Sequence, residues 1–324
     1  MPLVTQLDIK EFRGIKRCRE PLKFSKFNVL LGRNNSGKSS VLQALSLLPH
    51  PALPQPMDLR SGGTNRISFL AHLTGGIKST IYRYIGTASL DFEFNAREYC
   101  ISLDDKGGSN SIVENKRINI PEACEYLSVK YEEGQNWAVF VPSESQFLRK
   151  VEEKLSLEWA WIEKSGSHVE VTKEVINPVI DEVFTEVVRR DHELYVRKEV
   201  DGKPFHVNIR DLGDGIEKTL SLLLFLEACA PKIVLWDDFE ISAHPSLVKS
   251  LLQWLNKKEW QVVLATHSID VLYELVEIKP DDCAVIQMKK TGDDILIHRN
   301  LTVEEVEDFL SAGNDPRLLV DLIE

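Results

Sequence analysis

The sequence predicts an α/β protein: a mixed β-sheet built around a phosphate loop, with an antiparallel β subdomain and an inserted helical lobe. Three observations carry that reading. Gly32-Arg33-Asn34-Asn35-Ser36-Gly37-Lys38-Ser39 fits G-x-x-x-x-G-K-[ST] and lies between the apolar run Phe27–Leu31 and the helical run Ser40–Leu45. Strand and helix patterns alternate from 215 to 288, as parallel strands with crossover helices do. Between these blocks, residues 67–141 alternate in short segments parted by turn-rich pieces such as 104–110, an antiparallel pattern.

In chain order, Leu3, Val4, Leu7 and Ile9 mark a first strand over 3–10, followed by Glu11-Phe12-Arg13-Gly14. The next strand enters the phosphate loop, and the helix after it is stopped by Pro49, Pro51, Pro54 and Pro56. Strands are expected at Ile81/Tyr82/Tyr84, Leu90/Phe92/Phe94, Tyr99/Ile101, Ile118/Ile120 and Trp137/Val139/Val141. Ser143 with Gln146 reads as a capping box opening a helix through about 156, and a second helix is expected over 171–189. Strands at 193–197 and 205–209 precede a helix at 215–229, a strand at 232–237, a helix at 246–256 begun by His244-Pro245, a strand at 260–265, a helix at 269–277 and a strand at 283–288. A hairpin around Thr291–Asp294 and a helix from Thr302, with Glu305 as capping-box partner, complete the chain. The expected organisation is a single domain with lobe I at about 1–95 and 205–324 and an inserted lobe II at about 96–204. No repeat and no sustained heptad is present, so the insertion is compact rather than a long arm.

Composition narrows the class. The 324 residues carry a formal charge of -11 with pI ≈ 5.3, which excludes a surface that is basic throughout and nucleic-acid binding by bulk charge. Cys18, Cys100, Cys124, Cys229 and Cys283 are scattered without C-x-x-C, which argues against a zinc or disulfide framework and for a reducing compartment. No apolar run approaches the ~20 residues of a membrane span, and Asp8, Lys10 and Glu11 interrupt any leader-like core. A cytoplasmic protein without a membrane partner is expected.

A strand turning into a helix through this loop aims backbone N–H groups and the positive helix end at one point, which suits a phosphate chain. Asn34, Asn35, Ser36, Gly37, Lys38, Ser39 and Ser40 are therefore the expected nucleotide contacts, with Lys38 on the β- and γ-phosphates and the Ser39 hydroxyl on Mg²⁺. Lys232–Asp238 is a buried-strand pattern ending in two carboxylates. Asp237 is the expected Mg²⁺ ligand, Asp238 the base that orients and deprotonates the attacking water, and Glu240 an alternative base. His267 follows the strand at 260–265, before a helix with Ser268 as N-cap, where it can reach the γ-phosphate or the water. In 210–218, Asp214 with Glu217 reads as an N-cap and its box partner, beside Gly213 and Gly215.

The order of these motifs resembles the ABC-type ATPase head, a P-loop NTPase fold. Phe12-Arg13-Gly14 with Gly32–Ser40 is similar to the RecF, SMC and OLD branch of AAA-type ATP-binding proteins. The resemblance covers nearly the whole chain. It implies that Leu212, Gly213, Asp214 and Gly215 form the signature segment that completes the ATP site of a partner subunit, giving a head-to-head homodimer on ATP. It also implies that Arg13 lies near the nucleotide, that His267 is the switch histidine and that Asp237 holds Mg²⁺. No glutamine falls where the family's Q-loop residue is expected; His72 is near that place. The family's Asp-Glu-Pro-Glu is here Asp237-Asp238-Phe239-Glu240, and the shorter Asp238 implies slow turnover and a long-lived ATP dimer. No toprim-like nuclease domain is expected in the residues after His267.

The preferred expectation is an ATPase acting on DNA in repair or defence against mobile elements. Lys10, Arg13, Lys16, Arg17, Arg149, Lys150, Arg189 and Arg190 are its candidate DNA contacts. The alternative is a slow, nucleotide-gated module regulating a separately encoded effector nuclease. A transporter subunit is disfavoured by Leu212-Gly213-Asp214-Gly215 and by the Phe-Arg-Gly opening.

Overall fold

In a computed structural model, residues 2–56, 64–180, 182–191, 193–240 and 245–322 are described. Contacts divide the chain into two units, Met1–Pro142 with Pro231–Phe239 and Glu259–Glu324, and Ser143–Ala230 with Glu240–Lys258.

In the first unit, β1 (Val4–Phe12) turns into β2 (Ile15–Cys18), β3 (Leu22–Lys23) pairs back onto β1, and β4 (Phe27–Leu31) runs through the phosphate loop into α1 (Lys38–Ser46). Then come α2 (Arg66–Thr74), β5 (Thr87–Phe94), β6 (Arg97–Asp104), β7 (Ser109–Val113), β8 (Lys116–Ile118), α3 (Ile120–Tyr126) and β9 (Ala138–Val141). The second unit holds α4 (Ser145–Leu157), α5 (Trp159–Ser165), α6 (Ser167–Val171), α7 (Asn177–Val179), the antiparallel sheet β10 (Glu186–Arg190), β11 (Glu193–Val200) and β12 (Lys203–Asn208), and helices α8 (Asp214–Cys229) and α9 (Pro245–Lys257). The chain returns to the first unit as β13 (Ile233–Trp236), β14 (Gln261–Ala265), α10 (Ile269–Ile278), β15 (Cys283–Lys290), β16 (Ile295–Leu301) and α11 (Val303–Ser311).

One sheet gathers the first unit's strands in the order β8-β7-β6-β5-β1-β2-β16-β15-β4-β14-β13-β9. The right-hand end is parallel, β15 and β14 flanking β4, and β13 lying between β14 and β9. Strands covered on both faces have no need of polar alternation, and β4, β9, β13 and β14 are buried at every position. The left-hand end is antiparallel and alternates, as in Ala88, Leu90, Phe92 and Phe94 turned inward from β5.

Several expectations are corrected here. Ile81–Tyr84 forms 3₁₀ turns with Arg83 and Tyr84 at φ 53° and 69°, and only an Ile81–Phe12 bridge remains of the expected strand. Trp137–Val141 pairs in parallel with β13, so it belongs to the core and not to the antiparallel group. Helices α2 and α3 occupy stretches read as strand or loop; Asn65 and Asn119 cap them, and Asn119 with Glu122 makes a capping box. Ser143 caps nothing: α4 starts after Glu144 without a side-chain cap. The helix expected over 171–189 ends at Val179, where Ile180 turns extended (φ -109°, ψ 131°), and 186–190 pairs with β11 instead. The division at 95/96 and 204/205 differs from the compact units because β6, β7 and β8 extend β5, whereas β12 pairs with β11 in the second unit. His244 lies outside the described residues.

Arg66 has no exposed surface, and its hydrogen-bond partners among the described residues are main-chain oxygens. Nη1 donates to Ser46 O (2.8 Å) and Ala138 O (2.9 Å), Nη2 to Gly134 O (3.2 Å) and Gln135 O (2.8 Å). Burial lowers its pKa to about 9. One acceptor closes the last turn of α1 and another opens β9, so the guanidinium joins the phosphate-loop helix to that strand, aided by the negative helix end. Arg66→Met strands four carbonyls, three of them in buried bonds, and the expected cost is about 3 kcal/mol in urea unfolding. A loss below about 1 kcal/mol means that water replaces the guanidinium.

Candidate nucleotide-binding site

The site is built where β4, β13 and β14 end together. At Gly32 a Cβ would stand 2.4 Å from Met288 O and from Ser36 Oγ, so the start of the loop accepts only glycine. Gly37, at φ 103°, turns the chain directly into α1. Lys38 is buried and folds back across its own loop, Nζ donating to Gly32 O (2.9 Å) and Arg33 O (3.2 Å). Arg33, Asn34 and Asn35 are exposed, Gly37, Ser39 and Ser40 half-buried, and the buried Ser36 hydroxyl has no hydrogen-bond partner among the described residues.

Asp237 leaves the end of β13 with its N–H on Val141 O (2.9 Å). It is 8% exposed, and burial raises its carboxyl pKa. The Ser39 side chain, Lys38 and the Asp238 backbone favour its charged form, while the Asp238 charge disfavours it. A hydroxyl and a carboxylate side by side at the head of the phosphate loop form a hard, oxygen-only donor set of the kind Mg²⁺ takes. Ser39 and Asp237 thus fit the ion, and Lys38 stands within reach of the same charge.

Arg13 is brought to this group by an unusual turn. Glu11 and Arg13 have φ 55° and 53°, and Arg13 N–H donates to Thr80 O (3.0 Å). Lys290 Nζ holds the neighbouring Gly14 O (2.8 Å) while pairing with Asp294 (3.5 Å). Burial lowers the Arg13 pKa and the Asp237 charge opposes that shift, which ties the two electrostatically. Asp238 has φ 49°, and Phe239 N–H after it bonds Ala265 O (3.1 Å), fastening this turn to β14. Asp enters the left-handed region at less cost than Glu, a backbone reason for the shorter carboxylate here.

His267 is exposed just past β14, whose next residue, Thr266, bonds Leu30 O (3.2 Å) on β4. Ser268 caps α10 as expected, accepting from Asp270 N–H. The structure therefore gathers Arg13, Asn34–Ser40, Asp237, Asp238 and His267 at one edge of the first unit. Glu240 belongs to the second unit, as do Leu212, Gly213, Asp214 and Gly215.

In that unit α8 begins at Asp214 behind Gly213 (φ 100°), one residue earlier than expected, so Asp214 is not the N-cap; its side chain lies outside the described residues. Glu217 accepts from Arg210 Nε (3.2 Å), and Arg210 also pairs with Glu193 (2.8 Å). His72 sits in the last turn of α2. What the sequence reading missed is a fourth strand end at this edge, Val141-Pro142, whose signal was an unalternating apolar run stopped by proline.

Among the expected DNA contacts, Lys10 pairs with Asp8 (3.1 Å) and Asp91 (3.2 Å), and Arg189 donates to Ser156 Oγ (2.7 Å). Arg190 stands 2.8 Å from His206 Nε2. Lys16, Arg17, Arg149 and Lys150 remain exposed.

A family model described as "AAA domain, putative AbiEii toxin, Type IV TA system" matches residues 103–272, and one described as "AAA ATPase domain" matches 3–158. DNA replication and repair protein RecF of Vibrio campbellii and of Vibrio parahaemolyticus is each 52% identical over 50 residues, 15% of this chain. That match spans only 13% of the length of those relatives. Among solved structures, an SMC head bound to the C-winged helix domain of ScpA is 15% identical with a TM-score of 0.64, over 94% of this chain and 99% of that one. The SMC head domain from Thermotoga maritima is 15% identical at a TM-score of 0.52, over 94% and 100%. These structures establish the fold, that of an SMC-type head; with the family models and the partial RecF match they support an ABC-type ATPase head of the RecF/SMC branch. With its model spanning more than half of the residues, the chain belongs to the AAA-domain family of the first description.

Proposed function

We propose that the chain is an Mg²⁺-dependent ATPase that dimerises head-to-head on ATP and acts on DNA in repair or in defence against mobile elements. The observation that carries the catalytic part is the buried Asp237 carboxylate at the end of β13, whose charge the Ser39 side chain and Lys38 both favour. Lys38 binds the β- and γ-phosphates, and Ser39 and Asp237 hold Mg²⁺, which would neutralise charge developing on the phosphates. Asp238 orients and deprotonates the attacking water, with Glu240 as the alternative base, while His267 and Arg13 steady the γ-phosphate and its surroundings. Leu212, Gly213, Asp214 and Gly215 of a second copy close the site across a homodimer.

The RecF similarity over 50 residues supports the DNA role, and a cytoplasmic setting is part of the same reading. Among the described residues no helix is long and apolar enough to cross a membrane. Phosphate release by the purified protein at low salt is expected to require Mg²⁺ and to rise when double-stranded DNA is added. Asp238 in place of glutamate favours a second reading, a slow nucleotide-gated module that regulates a separate effector nuclease. Slow release that DNA leaves unchanged selects that reading.

A further inference from the structure

Past α11 the chain does not run off into solvent but comes back to the nucleotide edge. Gln287, buried on β15, donates Nε2 to Pro316 O (2.6 Å) and pins the returning segment to the sheet. Val320 is buried and lines a cavity of about 400 Å³ together with Arg33–Ser36 of the phosphate loop. Between these two anchors stands Arg317. Its Nε bonds both Asp315 oxygens (3.0 and 3.1 Å) and its Nη2 bonds Oδ2 (2.6 Å), so the guanidinium plane is set by a carboxylate two residues away. Asp315 is held below the usual carboxylate range by that contact. The other end of the fork, Nη1, donates to the main-chain oxygen of His267 (2.7 Å).

We propose that Arg317 is a positioning residue that sets the backbone, and through it the imidazole direction, of His267. His267 follows the buried Thr266, whose Oγ1 accepts from Ser268 N–H (3.0 Å), and precedes the N-cap of α10. Its two chain neighbours are thus fixed by the strand and by the helix. A charge-assisted bond from a guanidinium that is itself braced holds the carbonyl of the residue that joins them in one orientation. Arg317 touches no reacting atom in this account. It acts on hydrolysis only through His267, so the inference rests on the catalytic part proposed for that histidine.

The test uses the full chain with Arg317→Ala, Arg317→Lys, His267→Ala and the double variant. Three quantities are read: the affinity for a fluorescent ATP analogue, kcat for phosphate release, and the His267 imidazole signals in a ¹⁵N-labelled protein, assigned by their loss in His267→Ala. Arg317→Ala is expected to move the His267 signals and to lower kcat about tenfold, the scale of a misaligned catalytic group, with nucleotide affinity within about twofold. Arg317→Lys, which keeps one donor without the fork, recovers part of that loss. The double variant turns over no more slowly than His267→Ala, because both changes remove one function. His267 signals that stay in place in Arg317→Ala, or losses that multiply in the double variant, overturn the proposal. A His267→Ala protein with unchanged kcat instead overturns the histidine's part in hydrolysis, and the imidazole signals then still decide whether Arg317 holds it. Asp315→Asn, which removes the brace and keeps the arginine, guards against loss of the fold and is expected to shift the same signals by less.

Discussion

Replacing Lys38 by alanine is expected to weaken ATP binding at least a hundredfold and to take phosphate release below detection. Each hydrogen bond from an ammonium to a phosphate oxygen contributes about 1.5–3 kcal/mol, and Lys38 is placed to give more than one. It starts buried on the loop itself, bonded to Gly32 O and Arg33 O, so little side-chain ordering remains to oppose binding. A titration with a fluorescent ATP analogue measures the first effect, and sedimentation with ATP and Mg²⁺ measures the loss of the dimer. Thermal unfolding without nucleotide separates a site defect from a folding defect, because alanine is a good helix residue at the first position of α1. An ATP-dependent dimer that survives in Lys38→Ala overturns the assignment of the site.

Much of this site was legible because its chemistry is local in sequence. The run Phe27–Leu31, the glycines of the loop and α1 are consecutive, and neither the strand nor the left-handed Gly37 needs a distant residue to define it. The end of β13 and the cap of α10 carry equally local signals, two carboxylates after an apolar run and a serine before one. The misreadings have the opposite character. Val179, Ile180, Val183, Phe184, Val187 and Val188 recur with a helical period, yet Val187 lies against Val196 of β11, and that pairing decides the matter. The direction of β9 depends on β13, nearly a hundred residues later in the chain. Arg66, Lys290 and Arg317 were invisible for the same reason. Each takes main-chain oxygens from remote segments, and a carbonyl leaves no mark on the amino-acid alphabet.

Asp238 is where backbone and chemistry make opposing demands, and a pair of substitutions separates them. Asp238→Asn keeps the shape and tolerates φ 49°, so the fold is expected to hold while hydrolysis falls about a hundredfold or more, the usual contribution of a positioned base. ATP then stays bound, and the dimer becomes easier to isolate than in the wild type. Asp238→Glu restores the longer reach, and hydrolysis is expected to accelerate. Glutamate lacks the local tolerance of aspartate for the left-handed region, which costs about 1 kcal/mol and lowers Tm by a few degrees. Faster turnover in a less stable protein is the signature of a residue chosen by its backbone and used for its carboxylate. Equal rates for the Asn and Glu variants, by contrast, move the base to Glu240 and leave Asp238 as the residue that merely fits the turn.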